Sequence, residues 1–222
     1  MAAADQEKES VAVVNAIRFL VLGRASPEPG KAAAWFPLVG AALGAVGAGI
    51  YLIVPSSYAP LACVVFWTAA GRVVHEDRIV YAAVALSAIA RWLALENFAG
   101  PDLLAVCIAA QAVPRAAIVG LAWVSRPAGT AGPGGTGMGY ALSSTLTTPA
   151  AVAALAQGVL AAFLCGARVG VVLIVGCFLI ARLAREFAYK RWGGVNGDCL
   201  GATEQVLEIF ILAVFACRGC AW

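Results

Sequence analysis

Charge is what this sequence has least of. Asp, Glu, Lys and Arg make up 12% of its 222 residues, against 62% apolar, where a soluble domain is about one quarter charged. So few charges cannot cover a water-facing surface, and a mean hydropathy of +0.89 points to lipid as the outer solvent. There is a single histidine and one Cys-x-x-C pair, Cys217 and Cys220. A structural zinc site takes four such ligands, so zinc is set aside. The cysteine count of seven is odd, and Cys63, Cys107, Cys165 and Cys177 lie inside apolar blocks, where a thiol behaves as a small hydrophobe. Basic residues form no stripe, so no nucleic acid partner is expected. The opening MAAADQEKES lacks the basic start of a secretory signal. We expect no cleavage and a multi-pass protein of the cytoplasmic (inner) membrane.

What is present is a series of long apolar blocks rich in Ala, Leu and Val. Period-two alternation is missing, which excludes a membrane barrel and leaves helices. The expected fold is all-α: a polytopic transmembrane bundle of about six or seven helices, given ~20 residues per span. We read 1–222 as a single integral membrane domain, with 1–32 an N-terminal interfacial segment and 125–149 a Gly-rich loop. Residues 11–22 are apolar but short, and Asn15 and Arg18 interrupt them. Residues 34–54 hold no charge; Gly40, Gly44, Gly47 and Gly49 would let a second helix approach closely. Shorter or interrupted runs follow at 58–70, 79–95 and 101–124. Runs 150–164 and 169–181 form either a hairpin or one broken helix. A basic, then glycine-rich, stretch at 182–201 leads into a last run at 200–217. Basic clusters before the later runs vote for the cytoplasmic side.

Chemistry is sought where polar residues interrupt these runs, because a charge at the centre of a span costs roughly 2.5–3.5 kcal/mol. The stretch GGVNGDCLGATEQ, 193–205, is the first place. Its glycines let the backbone bend and approach a ligand, Asp198 is placed to cap the last helix, and Glu204 and Glu208 share a helical face. Such carboxylates suit a magnesium ion holding a diphosphate, or equally acids facing a polar cavity. His75-Glu76-Asp77-Arg78 reads first as a solvated charged loop. Arg115, beside Pro114 in an apolar run, would pair with a carboxylate of another helix or reach a phosphate. Residues 132–139 could cradle phosphate through backbone N–H groups or simply connect two helices.

The last segment, GGVNGDCLGATEQVLEIFILA, resembles the C-terminal motif of the adenosylcobinamide-GDP ribazoletransferase (cobalamin synthase) family. Gly193, Gly194, Gly197, Asp198, Gly201, Ala202 and Glu204 match its Gly-Gly-x-x-Gly-Asp-x-x-Gly-Ala-x-x-Glu run. The opening is similar to the family's proline-containing loop and Phe-Pro-Leu-Val-Gly helix, carried here by Phe19, Leu20, Trp35, Phe36, Pro37, Leu38, Val39, Gly40 and Gly44. EDRIVYAAVAL, VPRAAIVGLAW and GGTGMGYAL resemble three further family stretches in the same order. The family's Asp-Gly-x-x-Asp-x-x-Asp-Gly motif is absent, so this is a divergent member: the chain passes from Gly71 through Arg72, Val73, Val74 and His75 to Glu76.

The resemblance implies a Mg2+-dependent transferase of cobalamin assembly. It would join adenosylcobinamide-GDP to α-ribazole or its 5′-phosphate and release GMP. Carried over by position, Asp198 and Glu204 would be catalytic; Arg78, Arg115, Gly194 and Gly197 would bind substrate; Glu76, Asp77 and Asp198 would hold the metal. The implied partners are corrinoid and nucleotide small molecules and membrane lipid, with room for a homo-oligomer. The missing aspartates also motivate a non-catalytic relative that binds the same ligands or scaffolds a partner. A small membrane transporter is a third reading.

Overall fold

In hydrocarbon the backbone must satisfy its own hydrogen bonds, and this chain does so by helix. The computed structural model describes residues 2–22, 29–70, 78–96, 102–128 and 138–217. Ten α-helices occur among them: α1 Ala2–Leu22, α2 Pro29–Ala32, α3 Phe36–Ile53, α4 Ala59–Ala70, α5 Arg78–Glu96, α6 Leu103–Trp123, α7 Met138–Thr145, α8 Thr148–Phe163, α9 Ala167–Trp192 and α10 Gly197–Ala216. A 3-10 turn, Ala33–Trp35, fuses α2 to α3. The helical membrane bundle expected from composition is the observed fold.

Among the described residues four stretches are long and apolar enough to cross a membrane: Pro29–Ile53, Leu103–Trp123, Ala167–Trp192 and Gly197–Ala216. The pair α7–α8, bent by 111°, makes up to a fifth as a broken span. Helix α4 has only 12 residues, short of the ~20 a span requires. The Gly-rich loop at 125–149 is partly helical, since α7 lies within it. The runs at 150–164 and 169–181 form a hairpin, turning at Gly166 with φ +98°. The basic segment after 182 continues α9 to Trp192 rather than forming a break. At the N-terminus, α1 starts well before residue 11 and is anchored by Phe19, whose ring stacks on Phe36 with centroids 5.2 Å apart.

Helix α6 is the central post, packed by α3, α8 and α10. Small residues make this possible. A Cβ at Gly40 would overlap the Gln111 carbonyl and Arg115 Cδ, and one at Gly44 would overlap the Cys107 backbone. Trp67 of α4 closes over Gly47 and donates its indole N–H to the Leu43 carbonyl at 3.1 Å. Cys63, Cys107, Cys165 and Cys177 are buried.

Two core clusters reveal helix directions. One joins Val106 and Cys107 of α6 to Leu207, Ile211 and Phe215 of α10, Ala48 of α3, Ala161 of α8 and Leu95 of α5. The other joins Val119 and Ala122 of α6 to Cys199 and Leu200 of α10, Phe36 of α3, Ala151 of α8 and Ala188 of α9. Helices α3, α8 and α10 therefore run antiparallel to α6. The second cluster marks the end of the bundle where α6 and α9 finish and α10 begins. Helix α5 finishes at the opposite end, so its first residue, Arg78, lies about 27 Å back toward the α10-opening end at ~1.5 Å per residue.

Candidate functional site

The glycine-rich stretch before α10 is a tightly held turn. Gly193 ends α9 in the left-handed region at φ +71°, with its N–H donating to the Tyr189 carbonyl at 3.1 Å. The next residues pair with the strand-like piece after α6: Val195 N–H donates to Arg126 O at 2.9 Å and Ala128 N–H to Val195 O at 2.8 Å. Gly194 sits where any Cβ would meet Arg126 O at 2.6 Å. On the other side, a Cβ at Gly139 of α7 would meet Gly197 N at 2.5 Å. The two glycine-rich regions singled out in the sequence thus meet at Gly139 and Gly197. Residues 129–137 lie outside the described residues.

One expectation is corrected here. Asn196, not Asp198, caps α10: its Oδ1 accepts from the Cys199 N–H at 2.8 Å. Gly197 and Asp198 then occupy the first turn. The aspartate complements the positive end of the helix dipole from inside that turn. Asn and Asp cap almost equally well, and the extended backbone at Asn196 (φ −116°, ψ 175°) selects it.

Beside this turn stands a cationic platform that the sequence reading did not single out. Tyr189 accepts a hydrogen bond from the Arg126 backbone N–H at 2.8 Å. The Arg185 guanidinium lies over its ring at 4.7 Å and that of Arg126 at 6.0 Å. Arg182 is paired with Glu186 at 2.9 Å. In sequence these arginines looked only like topology signals. The regular spacing of Arg182, Arg185 and Tyr189 becomes informative once α9 is known to continue through them.

Deeper in the bundle is a buried ion cluster. Glu208 of α10 holds Arg91 of α5 at 2.7 Å and Arg115 of α6 at 3.0 Å, and Glu204 holds the other arm of Arg115 at 3.0 Å. Arg115 also donates to the Gln111 carbonyl at 2.6 Å. Arg91 adds Ser87 and Thr68 as weaker acceptors. Arg91, Arg115 and Glu208 are each at most 4% exposed. Of the two partners open to Arg115 in the sequence, the geometry selects carboxylates. Its two Nη groups are held by Glu204, Glu208 and the Gln111 carbonyl, and its Nε has no hydrogen-bond partner. Arg91 was visible only as an arginine near the end of an apolar run.

The expected site residues therefore divide. Gly194, Gly197 and Asp198 gather at the opening of α10. Glu204 and Arg115 pair with each other, with Glu204 about 9 Å along the helix from Asp198. The backbone of Arg78 starts α5; its side chain lies outside the described residues, as do Glu76 and Asp77. Among the described residues no three or more His, Cys, Asp or Glu side chains are grouped to hold a metal. Among the described residues Asp198 is the one expected metal ligand, and it stands at this turn. A single carboxylate suits magnesium only as an ion shared with substrate phosphates.

No solved structure matches the chain. A protein of Ralstonia pickettii (strain 12J) named adenosylcobinamide-GDP ribazoletransferase is 27% identical over 220 residues, covering 82% of this chain and 83% of its own. Proteins of the same name match over shorter stretches. That of Clostridium tetani (strain Massachusetts / E88) is 36% identical over 52 residues (23% of this chain, 21% of its own). That of Listeria monocytogenes serovar 1/2a (strain ATCC BAA-679 / EGD-e) is 48% identical over 44 (20% and 18%). The profile described as cobalamin-5-phosphate synthase matches residues 14–80 and 79–216, a range that holds the α10 opening turn, the cationic platform and the buried ion cluster together, and this chain belongs to that family.

Proposed function

We propose that this chain joins adenosylcobinamide-GDP to α-ribazole or α-ribazole 5′-phosphate in cobalamin assembly, releasing GMP, in the cytoplasmic (inner) membrane. The observation that supports it most is the α10 opening turn, built from Gly193, Gly194 and Gly197 and held against 126–128 and Gly139. A helix start exposes backbone N–H groups and a positive dipole end, which suits phosphate oxygens. Arg126, whose backbone pairs with Val195, stands beside it to offset diphosphate charge.

In the reaction a hydroxyl oxygen of the ribazole attacks the phosphorus attached to the cobinamide and gives up its proton to solvent. The bond from that phosphorus to the bridging oxygen breaks, and the electron pair leaves with GMP. When bound, magnesium would neutralise charge on the diphosphate. Asp198, with Glu76 and Asp77, is proposed to contact it. Gly194 and Gly197 let the diphosphate approach the backbone. Glu204 acts through Arg115, as a positioning residue rather than a group touching substrate.

The test is GMP release from adenosylcobinamide-GDP and α-ribazole by the purified chain in lipid nanodiscs with magnesium. Asp198→Asn should lower turnover by about 10²-fold or more, the size of effect seen when one preorganised electrostatic group is lost, with unchanged helix content. No GMP above empty nanodiscs, from folded protein, would leave the chain as a non-catalytic relative.

A further inference from the structure

Outside the α10 opening, a groove with a volume of about 490 Å3 lies between α6, α8 and α9. Its walls are apolar, including Val113 and Ala117 of α6, Leu155 of α8, and Ile174 and Phe178 of α9. Gly120 and Gly158 also line it, and a Cβ at either would meet Leu155 or Ala116 across the α6–α8 contact. Charge is confined to one end, where Arg182 and Arg185 line it beside Trp123 and Val124.

We propose that this groove binds one anionic phospholipid, with an acyl chain along the apolar walls and the headgroup phosphate on Arg185. Three observations support this occupant. The first is length. From Val113 to Val124 the groove follows α6 for 11 residues, about 16 Å at ~1.5 Å per residue, which is close to half of the ~30 Å hydrocarbon core. It is as deep as one leaflet.

The second is charge complementarity. Arg182 is already paired with Glu186, but among the described residues no carboxylate pairs with Arg185. Its guanidinium lies over the Tyr189 ring at 4.7 Å, its Nε is without a hydrogen-bond partner, and one Nη makes a 3.4 Å contact with the Val124 carbonyl. A phosphate fits this geometry because a planar guanidinium offers paired donors to its oxygens. The third is position. The charged end faces the same side as Arg126 and the Lys190–Arg191 pair that finishes α9. Basic clusters of this kind mark the cytoplasmic leaflet, which carries the anionic lipid. Trp123 and Trp192, both 41% exposed, suit the headgroup level there. Ordinary lipid contact covers any span surface; a groove with an arginine under-supplied with acceptors at its mouth selects for headgroup charge.

The experiment is native mass spectrometry of the full chain in mild detergent, titrated with phosphatidylglycerol or phosphatidylcholine of matched acyl chains. One phosphatidylglycerol should be retained per chain, about tenfold more tightly than phosphatidylcholine, the scale expected from one charge-assisted hydrogen bond. Arg185→Gln should remove that preference and Arg185→Lys retain part of it. Ala117→Phe, which fills the groove, should weaken both lipids. Lys190→Gln, on the same side but outside the groove, should leave the preference intact. Equal retention of the two lipids would overturn the proposal. So would an unchanged preference in Arg185→Gln or an equal loss in Lys190→Gln. Displacement of the lipid by GMP or α-ribazole would assign the groove to substrate instead. None of these readouts requires turnover, so the outcome is independent of the proposed reaction.

Discussion

Glu208 is the residue whose removal the structure predicts most sharply. It joins Arg91 and Arg115, and with Glu204 completes a set of two guanidiniums and two carboxylates within 3.0 Å contacts. Ionised, the set is neutral. Glu208→Gln keeps the shape and leaves one buried positive charge uncompensated. Breaking a buried pair from one side costs about 3–5 kcal/mol. Removing a charge of each sign is different. Arg91→Met with Glu208→Leu leaves Arg115 on Glu204 and the Gln111 carbonyl, still neutral, and replacing a buried pair by apolar side chains is often close to neutral in stability. The double variant should therefore be more stable than either Glu208→Gln or Arg91→Met alone. The cycle through Arg91→Met, Glu208→Leu and the double variant should give a coupling energy of about 3 kcal/mol. The assay is equilibrium unfolding in mixed detergent micelles, followed by circular dichroism. Additive single effects, or a Glu208→Gln chain within about 1 kcal/mol of the parent, would refute the neutral-cluster reasoning.

Two further outcomes follow from the α10 opening. Asn196→Ala removes the 2.8 Å cap on Cys199 N–H and should cost about 1 kcal/mol, read as faster amide exchange at the first turn of α10, whereas Asn196→Asp should restore the protection. Gly139→Val places side-chain atoms where even a Cβ would meet Gly197 N at 2.5 Å; turnover should fall at least tenfold while far-ultraviolet circular dichroism keeps its helical signal, because a displacement of ~1 Å near a reacting group is that costly.

Much of the fold was legible because its cause is local. Low charge and unbroken apolar blocks dictate membrane helices. Of the glycines at 40, 44, 47 and 49 expected to allow close approach, the first three meet α6 or Trp67, while Gly49 faces open space. What the sequence could not supply was long-range pairing. Arg91 and Glu208 are 117 residues apart, and nothing near either names the other. The same holds for Arg115, whose two possible partners were indistinguishable until α10 was seen to run antiparallel to α6. The cap was missed for a local reason: Asn196 and Asp198 are chemically near-equivalent caps two residues apart, and backbone register decides between them. Arg126, Arg185 and Tyr189 assemble only because α9 continues past the apolar run and ends against the piece of chain after α6.

The buried cluster and the opening turn are physically linked, because both lie on α10. Between helices in lipid there is little hydrophobic drive to favour one register over another, and a surface of Ala, Leu and Val packs nearly as well after a small slip. The ion cluster does not. Sliding α10 by one residue rotates each side chain by about 100° at 3.6 residues per turn, which separates Glu204 and Glu208 from Arg91 and Arg115. Asp198, about 15 Å from Glu208 along the same helix, would turn with them. Below the site, α10 is thus locked by charges; at the site, it is locked by the Val195 pairing and the Gly139 contact. With both ends fixed, the direction of Asp198 is set by groups that need never touch a substrate.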